Sequence, residues 1–187
     1  MRIKTPKEKR KLLVKTIVRW VLYFILIFLC FCFMTSGTLK KPILLIPIAV
    51  CISANTGELQ ASFTGAFCGF LIDIACGKLF GYNAFVLTIV CMFTALLFAN
   101  YLRQRFVNIL ILTAVSSLIL AILDFKFYYD MWNYENVHLI FSKITIPVFV
   151  YTVISTVPVY AVVSLINKFL MPKRHLSIEE AIKTNQE

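Results

Sequence analysis

Acidic residues are scarce in this chain. Nine Asp and Glu stand against 19 Lys and Arg among 187 residues, and charged residues of both signs make up only 15%. Ordinary soluble domains hold about 25% charged and about 45–50% apolar residues. Here the hydrophobic share is 60% and the mean hydropathy is +0.84. A greasy soluble core would still alternate apolar and polar faces, and Val21–Met34 and Ile109–Leu123 show no such alternation. The composition is that of an integral membrane protein with little room for a soluble domain. Histidine is nearly absent too: His138 and His175 are isolated and lie outside the apolar runs, so no metal site is suggested. No CxxC pair occurs. The six cysteines (30, 32, 51, 68, 76 and 91) all sit in apolar runs and read as small packing residues. No A-x-A cleavage site follows the first apolar run, Trp20–Met34, which is long for a signal core and reads as a retained first helix. An internal repeat of the kind found in many secondary transporters is also missing.

What remains is a set of apolar runs: 17–35, 42–56, 59–76, 84–100, 106–124 and 142–168. A helix needs about 20 apolar residues to cross a bilayer, with a range of about 17–25. Five runs meet that. The second is short and carries Pro42 and Pro47, so it reads either as a crossing or as a re-entrant segment. Charge separates the two. With six crossings and the N-terminus inside, 14 Lys and Arg are cytoplasmic and five are outside; if the second run turns back, the division is 11 to eight. The positive-inside rule favours six crossings with both termini cytoplasmic. The expected organisation is a basic N-tail (1–16), an all-α membrane domain of six helices (17–168) and a polar C-tail (169–187). Pro158 inside the last run predicts a kink, with Thr152, Ser155 and Thr156 placed to satisfy the freed backbone. In the C-tail, Ser177 to Glu180 fits a capping box for a short helix.

Eight of the 19 Lys and Arg fall in the first 19 residues. No nucleic-acid-binding motif accompanies them, and a basic stretch beside a first membrane helix suits anionic lipid on the cytoplasmic side. The loop Asp124–Phe141, outside in this topology, holds FKFYYDMWNY. Its Phe127, Tyr128, Tyr129, Trp132 and Tyr134 read as an interfacial belt or as a partner-binding loop.

The most informative stretch is GAFCGFLIDIACGKLFG, residues 65–81. Gly65, Gly69, Gly77 and Gly81 keep a step of four, with Asp73 in the one remaining place. Small residues at this spacing make a smooth ridge that admits a second backbone, and close packing is what associates helices in lipid. Each step of four turns the ridge by about 40°, so 65 to 81 drifts by about 160° and one straight helix cannot present all five positions to one partner. The helix is expected to end near Gly77, with GKLFGYN as a turn. A carboxylate at the bilayer centre costs about 2.5–3.5 kcal/mol on insertion scales. One turn from the outer end, Asp73 is expected to cap that turn, accept hydrogen bonds from backbone or Asn83, or pair with Lys78 or Lys143. It is the one carboxylate in the run 59–76, which leaves an intramembrane enzyme without a cluster.

Gly65, Gly69, Asp73, Gly77, Gly81 and the following Asn83-Ala84, preceded by a short Pro-containing run, resemble the rod shape-determining protein MreD family. The size, the six runs and the basic N-tail agree with it. The resemblance implies a non-enzymatic scaffold of the bacterial elongasome without a cofactor. It implies partners of the MreC, RodA-type glycosyltransferase and class B penicillin-binding protein kinds. It also implies a fold like the substrate-binding subunits of energy-coupling-factor transporters. The alternative function is such a vitamin-type transport subunit. Those subunits commonly carry an alanine-xxx-alanine contact in the first helix, and WVLYFILIFLCFCFM contains no alanine.

Overall fold

The computed structural model describes residues 6–36, 42–77, 79–101, 106–127, 143 and 145–170. All regular structure in them is helical: α1 (Pro6–Thr35), α2 (Leu45–Ser53), α3 (Glu58–Cys76), α4 (Tyr82–Asn100), α5 (Phe106–Phe125) and α6 (Ile146–Leu170). Five of these are long and apolar enough to cross a membrane; α2 is not. The exception is physical. At about 1.5 Å per residue, nine residues cover about 13–14 Å of a hydrocarbon layer that is about 30 Å thick.

α2 instead fills the middle of the bundle. Every residue from Leu45 to Ser53 is buried, and the long helices pack around it. Pro47 lies in its first turn, where the missing N–H would have no intrahelical partner anyway. A helix that ends inside a bundle must satisfy its terminal carbonyls without water. Groups following in sequence do this: the Ala54 N–H donates to Val50 O (3.0 Å), Asn55 Nδ2 to Cys51 O (2.9 Å) and Thr56 Oγ1 to Ile52 O (3.0 Å), while Ser53 Oγ satisfies itself on Ala49 O (2.7 Å). At the other end the Ile43 N–H donates to Thr152 Oγ1 at 3.0 Å, tying the entry of α2 to the early part of α6.

That contact also fixes a direction. The Tyr23 hydroxyl of α1 donates to Asn167 Oδ1 of α6. Thr152 and Asn167 are about 22 Å apart along α6, and Thr35 lies about 18 Å along α1 from Tyr23. If α1 and α6 ran parallel, Thr35 would be about 40 Å from the level of Thr152, yet eight residues reach at most about 29 Å. The two helices therefore run antiparallel, and the N-terminal part of α1 and the C-terminal part of α6 share one end of the bundle.

Several boundaries differ from expectation. α1 begins at Pro6, so residues 6–16 continue the first span as helix; KEKRKLL is rich in good helix formers. α5 ends at Phe125, one residue past the expected run, so Asp124, the residue that also opens the expected loop, lies in its last turn. α6 runs through Pro158 without ending. The hydroxyls near that proline do not serve the carbonyl it frees, that of Ile154. Thr152 donates to Val148 O, while Ser155 and Thr156 donate to Thr152 O. Four cysteines (30, 51, 68 and 91) are buried packing residues, but Cys32 and Cys76 are exposed on the bundle's outer surface. Along the spans that surface carries many large apolar side chains, with Phe28, Phe33, Ile111 and Ile154 among those exposed, as a lipid-facing belt requires. The Ser177–Glu180 capping box lies outside the described residues.

Candidate functional site

α3 and α4 form an antiparallel hairpin, and its closeness is set by two glycines. A Cβ at Gly65 would lie 2.7 Å from the Leu87 carbonyl oxygen and 2.9 Å from Cys91 Cβ. A Cβ at Gly69 would lie 2.6 Å from Ala84 N, 2.7 Å from the Asn83 carbonyl oxygen and against Ala84 Cα. Both contacts are largely with backbone, so no rotamer change makes room. The ridge predicted from spacing packs onto α4 of the same chain.

α3 ends at Cys76, and Gly77 follows at φ +61°, its N–H turned back to the carbonyls of Asp73 and Ile74. Gly81 has φ +95° and stands as the N-cap of α4. Being glycine, it has no side chain with which to cap. Asp73 supplies that cap from the neighbouring helix. Its Oδ2 accepts the Gly81 N–H at 2.8 Å, and its Oδ1 accepts the Asn83 N–H at 3.2 Å and Asn83 Nδ2 at 2.8 Å. Asp73 and Asn83 are each 1% exposed. The first N–H groups of a helix lack intrahelical partners and carry the positive end of its dipole, so a carboxylate there is favoured twice over. Phe70 and Phe80 stack across the turn with ring centroids 4.9 Å apart. Of the three roles open to Asp73, the first two coincide: it caps the turn through backbone donors and Asn83. Lys78 lies outside the described residues, and Lys143 is exposed.

Of the aromatic loop, Phe127 stacks on Tyr82 at a centroid distance of 5.0 Å, which places the end of α5 beside the start of α4. Tyr128, Tyr129, Trp132 and Tyr134 lie outside the described residues. Chemically, the Asp73 site is a joint. Both carboxylate oxygens are engaged by neutral donors, and Gly81, Asn83 and the turn are held in one arrangement.

Spacing alone did not reveal a second polar cluster at the opposite end of the bundle. There the Arg19 guanidinium lies 5.9 Å from the Tyr23 ring centroid, and Tyr23 donates to Asn167. Arg19, counted above with the basic tail, is buried together with Asn167. The signal available in sequence was the one side-chain amide of the last span, because an amide in lipid needs a partner. Among the described residues no group of three or more His, Cys, Asp or Glu is placed to hold a metal ion.

No family model matches the chain, and no curated protein or solved structure is detectably similar to it.

Proposed function

We propose that this chain is a non-enzymatic scaffold in a bacterial cell membrane. In this reading it supports wall elongation and rod shape, linking an MreC-like protein, a RodA-type glycosyltransferase and a class B penicillin-binding protein to an actin-like, MreB-type filament on the cytoplasmic side. The observation that carries the proposal is the use made of the family-like residues. Gly65, Gly69, Asp73, Gly81 and Asn83 all serve one joint between α3 and α4, which suits a rigid platform. The centre of the bundle is occupied by the buried side chains of α2, which favours a scaffold over a vitamin-type transport subunit. Depletion in the native host tests it. Cells are expected to round up, and an MreC-like protein is expected to co-purify with the chain. Normal rods without such a partner reject the scaffold. A tightly held small molecule in the purified protein, found by mass spectrometry, would favour transport.

The proposed topology has six crossings, arranged as in energy-coupling-factor subunits, with both termini cytoplasmic. The antiparallel α1 and α6 support an even number. The 42–56 segment enters beside Thr152 and leaves near Asn167 and Lys168, where Asn55 lines a common cavity with them. It thus descends along most of α6, although only nine of its residues are helical. Such irregular backbone is tolerated at membrane depth when protein covers it. Labelling checks the sidedness. With the exposed Cys32 and Cys76 changed to serine, a cysteine at exposed Leu79 is expected to react with an impermeant maleimide in intact cells. One at exposed Tyr101 is expected to react only after the membrane is opened. The reverse pattern rejects this topology.

A further inference from the structure

The end of the bundle that carries Arg19 and Asn167 holds a cavity of about 310 Å³ between α5, α6 and the residues after α2. Its polar lining is Asn55, Ser164, Asn167 and Lys168, and its apolar walls include Ile109 and Val163. These groups differ from an ordinary satisfied core. Asn167 is 8% exposed and its Oδ1 is taken by Tyr23, yet its Nδ2 is buried with no hydrogen-bond partner. Arg19 Nε, over the Tyr23 ring, is also buried without one. A buried unpaired donor is costly and calls for a missing acceptor.

The acceptor's charge follows from the surroundings. Lys168 contributes an ammonium to the cavity wall, and no described residue of the lining is acidic. Arg10 and Lys15 are exposed on the same end of α1, and Glu58, at the start of α3, is the one acidic side chain described at this end. The lipid side of α6 next to the cavity is apolar, with Val162, Leu165 and Phe169 exposed. Donors and a cation sit beside a volume sized for a small polar group, and a surface for hydrocarbon chains flanks it. Basic pockets between membrane helices on the cytoplasmic side have this form when they hold lipid headgroups.

We propose that this cavity binds the phosphate of an anionic phospholipid. Lys168 and the Ser164 hydroxyl face its oxygens, Asn167 forms the wall behind them, and the acyl chains lie along α6. The inference does not depend on the scaffold reading. It concerns a built site apart from the general attraction of the basic N-terminal region to acidic lipid. A zwitterionic headgroup carries the same phosphate but adds a cation next to Lys168, so it is disfavoured.

The test uses the full chain in detergent micelles, with added phosphatidylglycerol, phosphatidylcholine or inorganic phosphate, read by thermal unfolding and native mass spectrometry. Phosphatidylglycerol is expected to raise the unfolding midpoint and to remain bound as one molecule per chain. Lys168→Gln removes an exposed charge and leaves the fold intact; it is expected to weaken the half-saturating concentration about fivefold, the worth of one lysine beside an anionic lipid. Lys15→Gln is expected to leave that concentration unchanged. Equal stabilisation by phosphatidylcholine overturns the proposal, as does an unaltered response in Lys168→Gln. Equal stabilisation by inorganic phosphate assigns the cavity to the free anion and overturns the lipid reading.

Discussion

Asp73→Ala is expected to abolish accumulation of folded protein. The substitution leaves three donors without an acceptor: the Gly81 N–H, the Asn83 N–H and Asn83 Nδ2. Hydrogen bonds to charged groups contribute about 1.5–3 kcal/mol each, so losing all three costs roughly 4–6 kcal/mol even with some rescue by water at the membrane edge. That is comparable with the total stability of many proteins, about 5–15 kcal/mol. Asp73→Asn separates a structural carboxylate from a proton relay. The amide oxygen can still accept both Asn83 donors, but the amide nitrogen then faces the Gly81 N–H, donor against donor. A joint predicts a loss of about 1–3 kcal/mol and reduced abundance, with function falling in proportion to the protein that remains. A relay predicts normal abundance with function gone. Quantitative blotting of membranes alongside a cell-shape assay distinguishes them. Wild-type levels of a well-folded Asp73→Ala chain would remove Asp73 from its structural role.

The Asp73 joint was legible because it is local. Acceptor and donors lie within ten residues, glycines mark the helix end and the turn, and a carboxylate in an apolar run demands a satisfied position. The five long helices were legible for the same kind of reason, since continuous apolar runs of spanning length have few other solutions. The second run was harder. Its two prolines and its length left crossing and turning back both open, and its role as a buried central helix depends on neighbours that periodicity does not name. Contacts distant in sequence were invisible. Thr152 looked like local support for Pro158, yet its hydroxyl accepts from Ile43, 109 residues away. Tyr23 and Asn167 are 144 residues apart. Arg19 was counted as one charge of a basic stretch, whereas its burial beside Tyr23 makes it part of the bundle. Charge counting records the side of the membrane on which a residue lies, not whether it is packed.

Gly69→Ala is expected to destabilise the α3–α4 hairpin although alanine is the better helix former. The propensity term favours alanine by about 1 kcal/mol. Against it stands a Cβ placed 2.6 Å from Ala84 N and 2.7 Å from the Asn83 carbonyl oxygen. Ordinary contacts begin near 3.5 Å, so the helices must part by about 1 Å. In lipid the two helices are held by close packing and not by exclusion of water, so separation weakens the whole interface. It also draws Asn83, the next residue to Ala84, away from Asp73. Overpacking of this kind costs about 1–3 kcal/mol, and the strained joint adds to it. A net loss near 2 kcal/mol lowers the unfolding midpoint by about 4–8 °C for a chain of this size. With the exposed Cys32 and Cys76 changed to serine, the buried thiols, Cys68 and Cys91 among them, report the transition directly, because a thiol-reactive dye reaches them only on unfolding. Gly57→Ala is the control: nothing lies within 4 Å of its added Cβ and its φ is −71°, so the midpoint is expected to hold. A second variant tests the cause. If the clash were with a side chain, Ala84→Gly would relieve it. The atoms in the way are the Ala84 backbone and the Asn83 carbonyl, so the double variant is expected to remain as unstable as Gly69→Ala. Recovery of the midpoint in that double variant would show that the helices are set apart by side chains, and the glycine ridge would lose its role as the contact that fixes their distance.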